Sequence, residues 1–241
     1  SPKCTYSAYP LSSKEEGFVD DDLVGRWYSI EAEEIESGVL LRGDLIYDVS
    51  IDITGEFLLI KTFDEEDIYG VHLYEGYSTL LDGKYYLNLR YIRCVGCLSS
   101  ESVSKRKSDS CPYEIFQYWK IHTMNDLIAY LIEHPELDEK EVEEILADEK
   151  LAPARAAVQC LLSTNAVQLL IAMSTYFVTE AIESGLVEGR EGCEDCIYDA
   201  CITAETDALR QFVSSYQMDL YSNFVLGGSF YMKEKLVEEQ P

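Results

Sequence analysis

The chain has 241 residues, 47% of them apolar, and a formal net charge of −26 from 45 acidic and 19 basic side chains. A field of that sign repels nucleic acid and anionic membrane surfaces, so general binders of either are excluded as a class. The apolar share supports a sizeable core and excludes wholesale disorder.

Residues 1–22 read as an irregular arm containing Pro10 and Gly17, tied to the body by Cys4. Its start, Ser1-Pro2-Lys3-Cys4, fits a processed chain. After Asp20-Asp21-Asp22, a short aromatic strand begins at Gly25, with Trp27 needing burial and a partner for its N–H. The stretch 45–53 alternates, placing Leu45, Tyr47, Val49, Ile51 and Ile53 on one face. A turn at Thr54-Gly55-Glu56 leads to a strand over 57–63. Residues 68–80 form a strand, or a broken pair punctuated by Gly70 and Gly76, and Asp82-Gly83 is a hairpin signal. In 84–93, Tyr85, Leu87, Leu89 and Tyr91 share the inward face.

A polar loop over 98–110 carries the basic cluster Lys105-Arg106-Lys107, read as solvated, and a bridge between Cys97 and Cys111 would staple it. Strands follow over 113–123 and 127–132. Short strands at this spacing favour an antiparallel sandwich or barrel over a βαβ fold. The period then changes to that of a helix over 137–146, with Asp138 as N-cap and Glu141 three residues on. Residues 154–185 and 195–226 read as further amphipathic helices, and 230–237 as a tail of undefined form. The apolar stretch 166–178 contains Gln168, Ser174 and Thr175 and is too short to cross a bilayer as a helix.

Gly25-x-Trp27-Tyr28 opening a first strand, some twenty residues after Cys4, resembles the first motif of the lipocalins. A strand series closed by His134-Pro135 and one amphipathic helix is similar to the order in which a lipocalin ends. The resemblance covers roughly residues 4–152. It implies an antiparallel up-and-down β-barrel followed by an α-helical C-terminal region: a β + α protein, with residues 1–152 as barrel and 153–241 as a helical extension packed on the barrel or on a partner. It also implies that Trp27, with Gly25, is structural and closes the barrel floor. Only seven strands are counted where the family has eight, so one is expected to be hidden within 68–81. The family commonly covers its Trp with an Arg ahead of the Pro segment; here Glu133-His134 stands there, so another group must cover Trp27.

The inward-facing set Tyr47, Val49, Phe57, Leu73, Tyr85, Leu87, Leu89, Tyr91, Phe116 and Tyr118 forms the candidate ligand site. Plain core packing accounts for most such positions taken singly. The abundance of tyrosine weighs against a filled core, because each buried phenol needs a hydrogen-bond partner. A small barrel is either plugged or able to hold one ligand. The expected function is to sequester or transport a carotenoid, retinoid, tetrapyrrole or lipid, with no cofactor required beyond such a bound chromophore or lipid.

Three histidines, His72, His122 and His134, occur without a metal or protease spacing, and phosphate-loop and nucleophile-elbow motifs are absent. An enzyme is therefore the lesser alternative, an isomerase or de-epoxidase on the same barrel, with Glu75 and Glu114 as its strand-borne carboxylates. An interaction protein with a filled barrel is the third reading, and association of copies through the C-terminal helices is compatible with each. The eight cysteines, Cys4, Cys94, Cys97, Cys111, Cys160, Cys193, Cys196 and Cys201, point to disulfides and a secreted or lumenal setting. The competing zinc reading rests on Cys94-x2-Cys97 and Cys193-x2-Cys196.

Overall fold

A computed structural model describes residues 5–30, 42–64, 70–97, 111–133, 138–149, 167–174, 200–215 and 229–234, with single helical positions at 152, 155, 156 and 159. The strands are β1 (Thr5–Ser7), β2 (Gly25–Ile30), β3 (Arg42–Ile51), β4 (Leu58–Asp64), β5 (Val71–Leu81), β6 (Lys84–Val95), β7 (Tyr113–Ile121), β8 (Val167–Ser174), β9 (Ala200–Ile202) and β10 (Ser229–Glu234). The helices are α1 (Met124–Glu133), α2 (Glu139–Ala147) and α3 (Thr206–Ser215), and a 3-10 turn spans Asp21–Leu23. The chain is thus a β + α protein whose strands join one mixed sheet.

From β2 to β8 each strand pairs antiparallel with the next. Strand β8 then pairs with β10, and β10 with β2, both antiparallel. Strand β1 runs antiparallel to the start of β7 and parallel to β9, which makes the sheet mixed.

Local chemistry sets the turns. Asp82 (φ +51°) and Gly83 (φ +76°) form the two-residue β5–β6 hairpin that Asp-Gly specifies, because both positions demand positive φ. In the β3–β4 turn, Asp52 accepts from Thr54 Oγ1 at 2.6 Å and from the backbone N–H groups of Thr54, Glu56 and Phe57. The Thr54 hydroxyl foremost, and the backbone N–H groups after it, hold the Asp52 carboxyl down at about 2, from an ordinary 3.8. A depressed folded value means that the turn is fully supported above pH 3.8 and loses this support as pH falls towards 2. Carboxyl-resolved NMR titration is expected to place the Asp52 midpoint near 2, and Thr54→Ala to raise it; an ordinary midpoint in the wild type would contradict the turn geometry.

Two apolar layers flank the sheet. On the inner face Leu23, Leu58, Ile60 and Tyr118 are buried together. On the outer face of β5, β6 and β7, Leu11 and Ile202 join Leu209, Phe212 and Val213 of α3 over Leu81, Tyr86 and Ile115. Within this outer layer Asn88 is 1% exposed, and its Oδ1 accepts from Leu11 N–H at 2.7 Å while its Nδ2 donates to Thr79 Oγ1 at 2.8 Å.

Several sequence expectations are corrected. Residues 127–132 are not a strand but lie in α1: Thr123 Oγ1 accepts from Asp126 N–H, and Asp126 Oδ2 accepts from the N–H groups of His122 and Thr123. That reciprocal cap starts a helix. The helix over 137–146 is present as α2, with its Asp138–Glu141 capping box. The region 154–185 contains strand β8, whose apolar run Leu169–Met173 has no alternation to betray a central strand. The region 195–226 contains β9 and the ten-residue α3 rather than one long helix, and the tail contains β10. Strand β5 is unbroken, so the uncounted strands are β1 in the arm read as irregular, β8, β9 and β10, rather than a hidden one within 68–81. The boundary at residue 152 therefore cuts through a sheet whose β8 and β10 pair with β7 and β2.

Candidate functional site: an apolar cavity with a polar mouth

The inner face lines a half-open cavity of about 400 Å³. At the end where the β3–β4 and β5–β6 hairpins turn, its floor is made by Leu23, Trp27, Leu58 and Tyr118. Its wall is Tyr47, Val49, Ile60, Leu87, Leu89 and Phe116. Towards the opposite end stand Thr62, Phe63, Asp64, Gly70, His72, Tyr74, Glu114 and Leu45.

The floor is built around Trp27, which is 5% exposed and donates from Nε1 to the Leu23 carbonyl at 2.8 Å. Its cover is Lys233 of β10, whose Nζ lies 4.8 Å over the indole ring and donates to the carbonyls of Asp22 and Val24 at 2.7 Å. Gly25, at φ +132°, is where this lysine crosses: a Cβ there would lie 2.6 Å from Lys233 Cδ. Only glycine meets both requirements. The cover sought near Glu133-His134 thus comes from the far end of the chain.

Beside Trp27 the floor is polar underneath. Asp20 is 5% exposed and accepts from Tyr118 Oη and from Lys120 Nζ, each at 2.8 Å. Tyr118 also meets Ser78 Oγ at 2.8 Å and stacks on Tyr85, ring centroids 5.5 Å apart. Burial first, and then the neighbouring Asp20 carboxylate, push the Tyr118 phenol far above its ordinary range; its hydrogen bond with Ser78 acts the other way.

In the wall Tyr47 packs edge-on against Tyr231 at 5.2 Å. Burial first, then Tyr231, Tyr74 and the Glu114 carboxylate, push Tyr47 upward, so it stays a neutral phenol across the physiological range. Near the mouth, Tyr74 and Tyr91 pack edge-on at 5.2 Å, and Tyr91 Oη lies 3.5 Å from His72 Nδ1. Asp64 Oδ1 is buried there and has no hydrogen-bond partner among the described residues.

Of the residues expected to line a ligand site, Tyr47, Val49, Leu87, Leu89, Phe116 and Tyr118 line the cavity. Tyr85 lies behind Tyr118 in the inner core, and Tyr91 backs Tyr74 and His72. Two positions are corrected. Phe57 packs on Tyr77 at 6.2 Å and under Lys14 Nζ at 4.5 Å, away from the cavity. Leu73 alternates out of phase with His72 and Tyr74, which do line it. The outer face of β5 is buried too, by Tyr77, Thr79 and Leu81, so apolarity did not mark the inner side. Of the two carboxylates, Glu114 lines the cavity, whereas Glu75 pairs with Arg90 outside it. Trp27, entered as purely structural, also lines the cavity floor. Tyr231 also lines the cavity, from β10, a segment whose sequence pattern defines no element.

The structure joins Cys94 to Cys97 and Cys111 to Cys201, so the 98–110 loop is not stapled by a bridge between its flanking cysteines. Cys4, Cys160, Cys193, Cys196 and His134 lie outside the described residues. The apolar face of α3 is spent on its own sheet rather than offered to a second copy. Among the described residues, no helix is long and apolar enough to cross a membrane.

Compared with protein-family models, with curated proteins and with solved structures, the chain has no match.

Proposed function

We propose that β2 to β8 and β10 close into an antiparallel barrel of lipocalin type that sequesters or transports one small hydrophobic molecule carrying a polar end group. The observation that carries this is the cavity of about 400 Å³, apolar in its floor and wall and polar at one end. Closure is supported by the run of pairings that leaves β2 through β3 and returns to it through β10. The lipocalin resemblance is supported by Trp27 at the cavity floor under a cationic side chain.

A cavity of this size lies at the lower end of the range of roughly 300–1,000 Å³ for ligand sites. It suits a retinoid- or fatty-acid-sized guest, while a full-length carotenoid or a tetrapyrrole would have to project from the mouth. Apolar burial contributes about 25 cal/mol per Å², and Thr62, Asp64, His72 and Glu114 give the polar end hydrogen-bonding groups. The paired disulfides favour an oxidising, secreted or lumenal setting.

The alternative of an isomerase or de-epoxidase keeps one specific support, the Glu114 carboxylate on the cavity wall. Incubation with a bound polyene followed by extraction separates the two. A carrier returns the molecule unchanged, whereas an enzyme returns product and Glu114→Gln abolishes it.

For the carrier, retinol is the probe, titrated while the Trp27 and Trp119 fluorescence is followed. Saturable quenching is expected, and Leu89→Trp, which fills the middle of the cavity, is expected to weaken binding by about tenfold or more, the effect of about 1.4 kcal/mol. Quenching that never saturates, or that is the same in the variant, would sink the carrier reading.

A further inference from the structure

Beside the cavity mouth lies a constellation of which the carrier reading uses only His72. His72 on β5 sits opposite Cys94 on β6 in the strand register. Cys97 follows after the turn at Gly96, φ +79°, and is disulfide-bonded to Cys94. Gly70, also at φ +79°, holds the far side: a Cβ there would lie 2.8 Å from Cys97 N and 2.9 Å from Cys97 Sγ. Gly70 and His72 both line the cavity, so the Cys-x2-Cys turn abuts its mouth. The two Sγ atoms and an imidazole nitrogen of His72 all lie within 4.8 Å of one another.

We propose that Cys94, Cys97 and His72 form a Zn²⁺ site when the Cys94–Cys97 disulfide is reduced, so that disulfide and metal-bound dithiolate are alternative states of the same residues. The chemistry of the donor set carries this. Two cysteines separated by two residues bracket a single zinc ion, and a neutral imidazole completes a soft-to-borderline set that zinc favours over calcium or magnesium. Tetrahedral Zn–S and Zn–N bonds place ligand atoms about 3.6–3.8 Å apart, so the two sulfurs part by about 1.7 Å from their bonded distance once the bridge is reduced, and the imidazole closes in by about 1 Å from a span of up to 4.8 Å. The site would be electrically neutral, two thiolates against one divalent ion. With three protein ligands, its fourth position takes water or an oxygen donor.

The steps balance. An external dithiol gives two electrons and two protons to the Cys94–Cys97 bond, which breaks, and becomes a disulfide itself through a mixed-disulfide intermediate. Zn²⁺ then displaces both thiol protons, which pass to solvent. The proposal does not depend on what the cavity holds.

The test uses the full chain, reduced with a phosphine, freed of reductant without air, and titrated with Co²⁺ as a spectroscopic stand-in before competition with Zn²⁺. The wild type is expected to show thiolate-to-cobalt charge transfer and to bind one equivalent more than the Cys94→Ser, Cys97→Ser double variant. His72→Ala is expected to weaken that equivalent by at least the 10- to 100-fold that loss of a mere supporting group costs. Equal stoichiometry in wild type and double variant, or unchanged affinity in His72→Ala, overturns the proposal. Should the variants fail to fold, peptide-resolved alkylation of the reduced wild type decides: Zn²⁺ should slow modification of Cys94 and Cys97, and unchanged rates at both overturn the site.

Discussion

Replacing Cys111 and Cys201 together by alanine is expected to lower the unfolding free energy by about 4–5 kcal/mol, the loop-closure value for a bridge spanning 90 residues. The bridge ties the start of β7 to β9, and few backbone pairs back it up. Strand β9 meets β1 in three register pairs, and β1 meets β7 in two. What β9 carries is the outer apolar layer, with Ile202 1% exposed and Leu209 and Val213 of α3 fully buried behind it. In the unfolded chain the bridge removes the freedom of a long loop, so its loss is felt mainly there. The Cys94–Cys97 bridge spans three residues and by the same logic contributes only about 1–2 kcal/mol. Urea unfolding of the two double variants side by side checks the contrast. Equal losses would show that the outer layer holds on β7 without its covalent tie.

How much of this was legible in the sequence depends on how many faces of each strand are covered. Strands β3 and β6 alternate plainly, and their inward residues Tyr47, Val49, Leu87 and Leu89 were found. Strand β5 did not yield to the same reasoning. Tyr77 and Leu81 are buried on its outer face and His72 and Tyr74 line the cavity on its inner one, so apolarity carries no phase. Strand β8 failed for a related reason: its run Leu169–Met173 is unbroken apolar and lies between two strands, and its leucines, alanine and methionine are good helix formers. Without β8 the sequence offers no neighbour for β10, whose Lys233 and Tyr231 complete the floor and wall. The helix α1 is signalled by Thr123 and Asp126 three residues apart, the spacing of Asp138–Glu141, but the short apolar run that follows reads equally as a strand. Turn chemistry was the most readable layer, because Asp82-Gly83 specifies its conformation without reference to the rest of the fold.

Asp20→Ala is expected to destabilise the protein by about 3 kcal/mol, the lower end of the range for breaking a buried charge pair from one side. Asp20 is almost fully buried and accepts from Tyr118 Oη, Lys120 Nζ and Asp22 N–H. Its loss strands a lysine whose side chain is 18% exposed. Asp22 keeps hold of Lys120 at 2.7 Å, which is why the upper end is not reached. Tyr118 can turn wholly to Ser78, so Asp20→Asn, which retains an acceptor but not the charge, is expected to recover part of the loss.

The pH dependence follows from the same pair. Above all the hydrogen bond from Lys120 lowers Asp22 from its ordinary 3.8, against some opposition from burial. That contribution is complete above pH 3.8 and is lost as pH falls through the depressed folded value. For Lys120, burial pulls its value down, but hydrogen bonds to Asp20 and Asp22 outweigh it and raise it above 10.5. This contribution is complete below pH 10.5 and fades as pH rises through the raised value. Wild-type stability from this network should be flat between those limits, and Asp20→Ala should flatten the alkaline side by bringing Lys120 back towards its ordinary value. Because Tyr118, Leu23 and Trp27 share the cavity floor above Asp20, the proposed carrier function predicts that the same variant weakens retinol binding. A variant that loses stability yet keeps full affinity would show that the floor's shape is set by Trp27 and Lys233 alone.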